Sequence, residues 1–479
     1  MTISANSELS DVQKPSNGDM ATEVRRDRFK TFWDKYSDKP DTNTMMLNHS
    51  ADDLESADRT DILACLPQVT NKDVVDIGAG IGRFTTVLAE SAKSVLSTDF
   101  IESFISKNKE RNAHMGNVQY QIGDAVHLVM DNTSVDLVFT NWLMMYLSDS
   151  ETIEFLMNCM KWLRPNGYVH LRESCSEPST GRSKTNTMHS TSEANPTHYR
   201  FSSLYITLLR NIRYQDAEGK IWKFNVEWSC SVPTYIQYQN NWRQVHWLAK
   251  KVPAEETKPT SPEDLLELFS KVWYEEQVEW DKKLDGEKYV WTDKIFANVL
   301  NDEIVAKNSA ALVYTPRASS PYTHINSHLL AENFTCNVWN IETKPYLYRT
   351  SLTRANTIKD KRVRFAWNDS LASSINYWIA RDASFESFIA TELLSSSSDE
   401  ELTKIQSIMN SEANVVLLEP VDEINEEAIK KKLSLIGLKK IIIKDVTTES
   451  VNAQKEYFTE HQLTDDTPAK KWILIQGHL

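Results

Sequence analysis

The stretch DVVDIGAGIGRFTTVLAE, residues 73–90, reads as a buried strand, a glycine-rich turn and a helix. Glycines stand at positions 78, 80 and 82. A dinucleotide fingerprint wants glycine at the first, third and sixth places, the last so that the helix packs tightly beside a pyrophosphate. Here the sixth place is Arg83. A cofactor without phosphate needs only the turn and a close backbone approach, and S-adenosylmethionine is such a cofactor. Gly78 and Gly80 are the candidate contacts. Taken alone, the glycine spacing also fits a simple tight turn.

Outward from this stretch, strands are expected at 73–77, 93–98, 117–122, 134–140 and 166–172, with helices between them at 102–113 and 149–163. Alternation of strand and helix predicts a parallel sheet. Such a sheet binds ligands at the carboxyl ends of its strands. Asp99 closes the second strand, where an acid accepts both ribose hydroxyls. Asp124 and Ala125 close the third and are placed to meet the adenine; either aspartate also suits a turn or a helix cap. The fourth strand runs into LVFTNWLMMYLSD, residues 137–149. Asn141 is followed by Trp142, not by the Pro-Pro-aromatic run expected for methylation of DNA bases. Trp142 and Tyr146 stand four apart, either as core aromatics or as faces that hold a cationic amine by cation–π attraction, worth ~0.5–2 kcal/mol.

Upstream, 21–38 reads as an amphipathic helix with Phe29, Phe32, Trp33 and Tyr36 on one face, and a second helix starts at Ser50 or Asp52. Downstream of 172 lie a long polar loop (180–200), a helix near 202–213, and strands at 220–232 and 242–250 that pair through the loop between them. KKVPAEETKPTSPEDL, residues 250–265, is expected to be a linker. Beyond it, SAALVYT, NVVLLEP, KKIIIKDV and KWILIQG read as strands of another α/β unit, while glycine is confined to Gly286, Gly437 and Gly477. This unit is a sheet without a cofactor grip. LSSSSDEEL, residues 394–402, is expected to be a flexible loop. The domain plan is a disordered tail (1–22), a methyltransferase domain with a helical lid (23–250), a linker (251–264) and a degenerate second domain (265–479). The fold class is α/β, a Rossmann-like seven-stranded class I methyltransferase domain plus that degenerate α/β domain.

Composition narrows the partners. A chain of 479 residues with net charge −14 suits two or three globular domains and argues against nucleic acid. Five cysteines are scattered without a C-x-x-C pair, so neither a disulfide framework nor a metal is expected. No stretch approaches the ~20 apolar residues that span a bilayer, and the start of the chain has no apolar signal core. A soluble, cytoplasmic protein without membrane insertion is expected.

DIGAGIGRFT, DFIESFISKN, NWLMMYLSD, GYVHLRESC and NPTHYR, in this order and spacing over about residues 30–250, resemble the phosphoethanolamine N-methyltransferases. The likeness is to the nematode enzymes of the first methylation and to the amino-terminal domain of the plant enzymes. The resemblance implies transfer of a methyl group from S-adenosylmethionine to phosphoethanolamine, on the way to phosphocholine and phosphatidylcholine. It implies a second phosphobase methyltransferase that continues the sequence. Carried over by motif, Gly78, Asp99, Phe100, Asp124, Ala125 and Asn141 would contact the cofactor, and Met46 would close over it. Trp142, Tyr146, Arg172, Ser174, Tyr199 and Arg200 would line the acceptor site.

Arg200 and Tyr199 would then supply donors to the phosphate; Arg172 either joins them or pairs with an acid across strand ends. The single-domain relatives place a histidine where this chain has Tyr146, so Tyr146 is expected to position the amine and pass its proton through water or Tyr36, with Trp33 the other lid candidate. Gln237 stands where the plant domain has lysine, and either donates a neutral hydrogen bond to phosphate or is an exposed residue. Two other readings stand beside this one: a methyltransferase for a sterol, quinone or amino acid, and a cofactor-binding regulatory scaffold. A sterol or quinone would need a large apolar pocket, whereas the 178–200 loop is polar.

Overall fold

The computed structural model describes residues 29–38, 40–48, 50–175, 197–274, 291–316, 327–421, 425–460, 462 and 470–479. The expected tail at 1–22 and most of the 180–200 loop, including Arg182 and Lys184, lie outside them.

The glycine stretch forms as its sequence dictates. Asp73–Ile77 is strand β1, and Arg83–Ala89 is helix α4 with Gly82 as its amino-terminal cap. Strands β2 (Ser94–Asp99), β3 (Val118–Ile122), β4 (Val135–Thr140) and β5 (Leu163–Ser174) follow, with α5 (Glu102–Arg111) and α6 (Asp149–Trp162) between them. β1 pairs in parallel with β2 and β4, β2 with β3, and β4 with β5. α6 starts on a reciprocal cap between Ser148 and Glu151. After α7 (Ser202–Asn211) and the short β6 (Arg213–Gln215), β7 (Ile221–Ser231) and β8 (Gln244–Pro253) pair antiparallel. A helix, α8 (Pro233–Gln239), occupies the expected loop between them. The order β3-β2-β1-β4-β5-β8-β7 gives seven strands with an antiparallel hairpin at one edge.

The carboxyl-terminal half repeats that order. Its strands are β9 (Ala310–Thr315), β10 (Asn337–Glu342), β11 (Val363–Trp367), β12 (Phe385–Thr391), β13 (Met409–Pro420), β14 (Lys439–Asp445) and β15 (Trp472–His478), arranged β11-β10-β9-β12-β13-β15-β14. The two sets join edge to edge. β11 pairs antiparallel with β7 through Ala366–Cys230 and Trp367–Ser229, so the described strands form one 15-stranded sheet. The seam covers two strand edges that would otherwise present unpaired backbone groups.

The connection is shorter than the expected 251–264: β8 continues to Pro253, and residues 254–261, without helix or strand, lead into helix α9 (Pro262–Tyr274). Leu265 and Phe269 of α9 share one buried cluster with Leu204 and Leu208 of α7. That cluster also holds Val313 and Val338 of the second sheet, so apolar packing crosses the expected boundary. The loop expected at 394–402 is also corrected. Leu393–Ser396 and Asp399–Lys404 are helical, and Ser398 caps the second through a reciprocal bond with Glu401.

At the amino terminus, the described helix α1 covers 29–34 and turns follow it to 38. α2 (Thr42–Met46) and α3 (Ala51–Leu63, starting after Ser50) come next. Phe32 and Trp33 pack with Leu47, Ile81 and Phe104, which lays the lid over the glycine turn.

Candidate active site

The cavity lies where the sheet predicts, across the carboxyl ends of β1, β2, β4 and β5, under the lid helices. Gly78 and Gly80 form its floor with positive φ (72° and 55°), where L side chains are strained. A Cβ on Gly80 would stand 2.8 Å from Met45 Sδ. Backbone N–H groups of Gly78 and Ala79 both donate to Thr98 O, holding the turn against β2 (2.9 Å each).

Asp99 is buried, and its two oxygens accept from the N–H groups of Gly80 and Ile101 (2.9 Å each). Burial pushes its carboxyl up to about 6, against the pull of those donors. Asp76, fully desolvated beneath the turn, is pushed up to about 7, although Thr85 Oγ1 donates to it at 2.6 Å. Met46, Phe100 and Asn141 also line the cavity, Phe100 remaining over a third exposed. Asp124 and Ala125 do not. Asp124 Oδ1 accepts from the Val126 N–H at 2.8 Å, the turn-capping role, and Ala125 belongs to the apolar core.

Beyond β4 the chain makes a tight turn. Trp142 takes a left-handed conformation (φ 60°), uncommon for so bulky a residue. Its N–H donates to Arg172 O at 2.7 Å, and its Nε1 donates to Gln244 Oε1 at 2.8 Å. Gln244 Nε2 in turn donates to Ser174 Oγ at 2.6 Å. Met144–Tyr146 then form one 3₁₀ turn. Two buried charges clamp it. Glu173 accepts from the N–H groups of Leu143, Met144 and Met145 (2.9, 2.8 and 3.2 Å). Arg200 donates to the carbonyls of Met144 and Leu147 (2.8 and 2.7 Å) and pairs with Asp149. Desolvation pushes Glu173 up to about 7 in spite of its three donors.

The clamp presents Tyr146 to the cavity. Its ring meets Phe29 and Trp33 edge-on, with centroids 5.3 and 5.9 Å apart, and Trp33 meets Phe104 at 5.8 Å. Trp33 lines the cavity; Tyr36 packs behind it, against Phe32 and Trp33, and does not.

Three expected substrate residues stand elsewhere. Arg172 is fully buried beneath Trp142, its guanidinium 3.6 Å from the ring centre, and bonds to Asn141 and Asp58 (3.3 and 3.4 Å). Its acidic partner comes from α3 and not from a strand end. The Nε and both Nη atoms of Arg200 are engaged by the clamp. Gln237 is exposed on α8, its carbonyl accepting from Lys361, remote from the cavity lining. Ser174 and Tyr199 do line the cavity. Burial raises the Tyr199 hydroxyl above its ordinary range. Arg83 is the one basic side chain in the described lining, and it is paired with Glu55 and Asp58.

Glu173, Asp58 and Gln244 were missed from sequence. Glu173 sits in GYVHLRESC between two residues assigned to the acceptor site, and strand alternation sends it to the opposite face, under the turn. Glu55 and Asp58, one helical step apart on α3, both reach Arg83.

The profile of the methyltransferase domain family matches residues 74–167. Phosphoethanolamine N-methyltransferase 1 of Caenorhabditis elegans is 62% identical over 456 residues, which cover 95% of this chain and 96% of that one. This chain belongs to the phosphoethanolamine N-methyltransferase family. A solved structure of Haemonchus contortus phosphoethanolamine N-methyltransferase 1, in complex with phosphoethanolamine and S-adenosylhomocysteine, superposes with a TM-score of 0.93. It is 68% identical, covering 95% of this chain and 98% of that chain. A phosphoethanolamine N-methyltransferase 1 of Triticum aestivum is 37% identical over 239 residues, covering 49% of this chain and 46% of that one. Membership in this family agrees with the resemblance read from the five motifs.

Proposed function

We propose that this chain methylates the amine of phosphoethanolamine with S-adenosylmethionine, giving phosphomonomethylethanolamine. The observation that carries the reading is one cavity with a glycine floor on one side and an aromatic wall on the other, in a chain of this family. The site fits the cofactor. Its floor is a cradle that a Cβ on Gly80 would fill, and buried Asp99 offers acceptors beside it. Gly78, Gly80, Asp99, Phe100, Asn141 and Met46 would hold the cofactor, which supplies an electrophilic methyl group on a sulfonium.

The residues of the chain do the rest. An aliphatic amine resembles lysine, so about one molecule in a thousand is unprotonated at neutral pH. The amine must therefore be held and deprotonated. Tyr146, Trp33 and Phe104 form an aromatic wall that favours an ammonium. Arg172 covers one face of Trp142, so an ammonium at that ring would share its π-cloud with a guanidinium. This makes Tyr146 the stronger cage residue. Its hydroxyl would accept a hydrogen bond from the ammonium and relay the proton, releasing its own to water or Tyr36 as it receives the amine's. Ser174 and Tyr199 would donate to the phosphate.

Mass spectrometry of products from each of the three phosphobases, with purified chain and labelled cofactor, tests the reading. Turnover of phosphoethanolamine alone is expected; turnover of the two methylated phosphobases but not of phosphoethanolamine would sink it. The monomethyl product would pass to a second phosphobase methyltransferase in the cytoplasm. Among the described residues no helix is long and apolar enough to cross a membrane.

A further inference from the structure

Scattered in sequence, Cys65 and Cys230 converge in the interior beside His246. Cys65 follows α3, while Cys230 and His246 are cross-strand partners on β7 and β8. All three are buried, and one donor atom from each lies within 4.8 Å of the others. Cys230 Sγ stands 3.1 Å from His246 Nε2. The other ring nitrogen, Nδ1, stands 3.5 Å from His170 Nε2. The His170 ring is itself stacked on Phe139, with centroids 4.8 Å apart and planes 6° from parallel. None of these groups lines the catalytic cavity.

We propose that Cys65, Cys230 and His246 form a structural Zn²⁺ site. Sulfur and imidazole donors select zinc over magnesium, calcium or manganese. Zinc bonds of about 2.3 Å to sulfur and about 2.0 Å to nitrogen set tetrahedral ligand atoms about 3.5 Å apart. The 3.1 Å Cys230–His246 approach and the 4.8 Å bound on the whole cluster bracket that spacing, so small side-chain shifts suffice. His246 is oriented as zinc-bound histidines are, one nitrogen toward the sulfurs and the other held by a neighbour. The Tyr377 hydroxyl, 3.6 Å from Cys230 Sγ, offers an oxygen at the same spacing for a fourth position. Two thiolates balance the charge of the dication, and the Arg381 guanidinium, beside Cys65 and 3.5 Å from the Tyr377 ring centre, adds one positive charge at the edge of the cluster. The ion would fasten α3, which carries Asp58, to the seam where Cys230 pairs with Ala366 of the second sheet.

The test uses the full chain purified from zinc-supplemented cells without chelator. Elemental analysis is expected to find about one zinc per chain. Titration with an organomercurial should release it, and cobalt-substituted protein should show thiolate-to-metal charge-transfer absorption. Cys65→Ser and Cys230→Ser should carry zinc at background, while Cys336→Ser keeps it. Should those serine variants fail to fold, the wild-type zinc content and cobalt spectrum decide alone. Zinc at background with no cobalt band in the wild type overturns the proposal. So does a Cys65–Cys230 disulfide found by mass spectrometry in protein prepared without oxygen.

Discussion

The guanidinium of Arg172 lies over the face of the Trp142 indole, 3.6 Å from its centre, and hangs from Asp58 of the lid base at 3.4 Å. Asp58 also holds Arg83 of α4 at 3.1 Å. One buried carboxylate thus ties the lid to the glycine turn and to the acceptor side. Lysine has no planar fork and cannot lie on the ring while reaching both Asp58 and Asn141. Arg172→Lys is expected to lower kcat about 10²-fold, the scale of a misplacement in attack geometry. Cofactor affinity should fall as well, though by less than kcat, because Asn141 loses its bond from Arg172. Steady-state kinetics with isothermal titration of the cofactor checks both halves.

Buried carboxyls make the protein sensitive to pH. Asp76 and Glu173 are pushed up to about 7 and Glu419 to about 8, each chiefly by desolvation. A folded-state value above the unfolded one means that the native state binds protons more tightly. That stability is fully present below about pH 4 and is lost as pH rises through 7 to 8. Each group contributes at most about 1.4 kcal/mol per pH unit. Ligand-free protein should therefore unfold at a lower temperature at pH 8 than at pH 6. Asp76→Asn removes one titration and should flatten the slope; calorimetry that finds equal slopes would refute the assignment.

Gly80 and Gly82 should fail in different ways. A Cβ on Gly82 would run into the Asn108 amide, which is buried in a network with Thr85, Ser97 and Asn112. Gly82→Ala should cost stability, on the order of 2–3 kcal/mol, because buried amides lose partners and φ is 81°. At Gly80 the neighbour is the flexible Met45, which can swing away. Gly80→Ala should fold with a loss of about 1 kcal/mol from its positive φ, yet bind cofactor at least tenfold more weakly. Denaturant unfolding beside cofactor titration separates the two.

The sheet was legible because its signals are local. The apolar runs of β1, β2 and β4 match their expected positions to within a residue, and the turns carry glycine or aspartate. At the seam β7 was readable, but β11 was not among the expected strands, and the Ala366–Cys230 pairing joins positions far apart in the chain. Site residues on the glycine floor were legible for the same local reason. Arg200 was expected at the phosphate, and Arg172 either there or paired with an acid, because the sequence reports a charge but not its partner. Asp58, Asp149 and two carbonyls use those charges internally. Serine repetition in LSSSSDEEL suggested a loop, yet Ser398 and Glu401 have the spacing of a helix cap.

Gln237 offers a control. It is exposed on α8, and its described hydrogen bond is through the main chain to Lys361. Gln237→Ala keeps that bond. Its kcat and its KM for phosphoethanolamine should stay within about twofold of wild type, as for surface positions generally. A tenfold rise in KM would return Gln237 to the phosphate site.

Tyr146 carries the chemistry in this reading, and its hydroxyl can be removed without unsettling its ring. Glu173 and Arg200 hold its turn through the main chain, and Phe29 and Trp33 meet the ring by its edges. Tyr146→Phe should keep the fold, the cofactor affinity and most of the cation–π cage. What it loses is the hydroxyl that relays the amine proton outward, a function typically worth ~10²–10⁴-fold. The expected result is a drop in kcat of that size with KM changed little. The variant should also respond more steeply to rising pH, since it then depends on the fraction of substrate that arrives already deprotonated. A kcat–pH profile that overlays the wild type would mean that the proton leaves by another route, and Tyr146 would be only a wall of the cage.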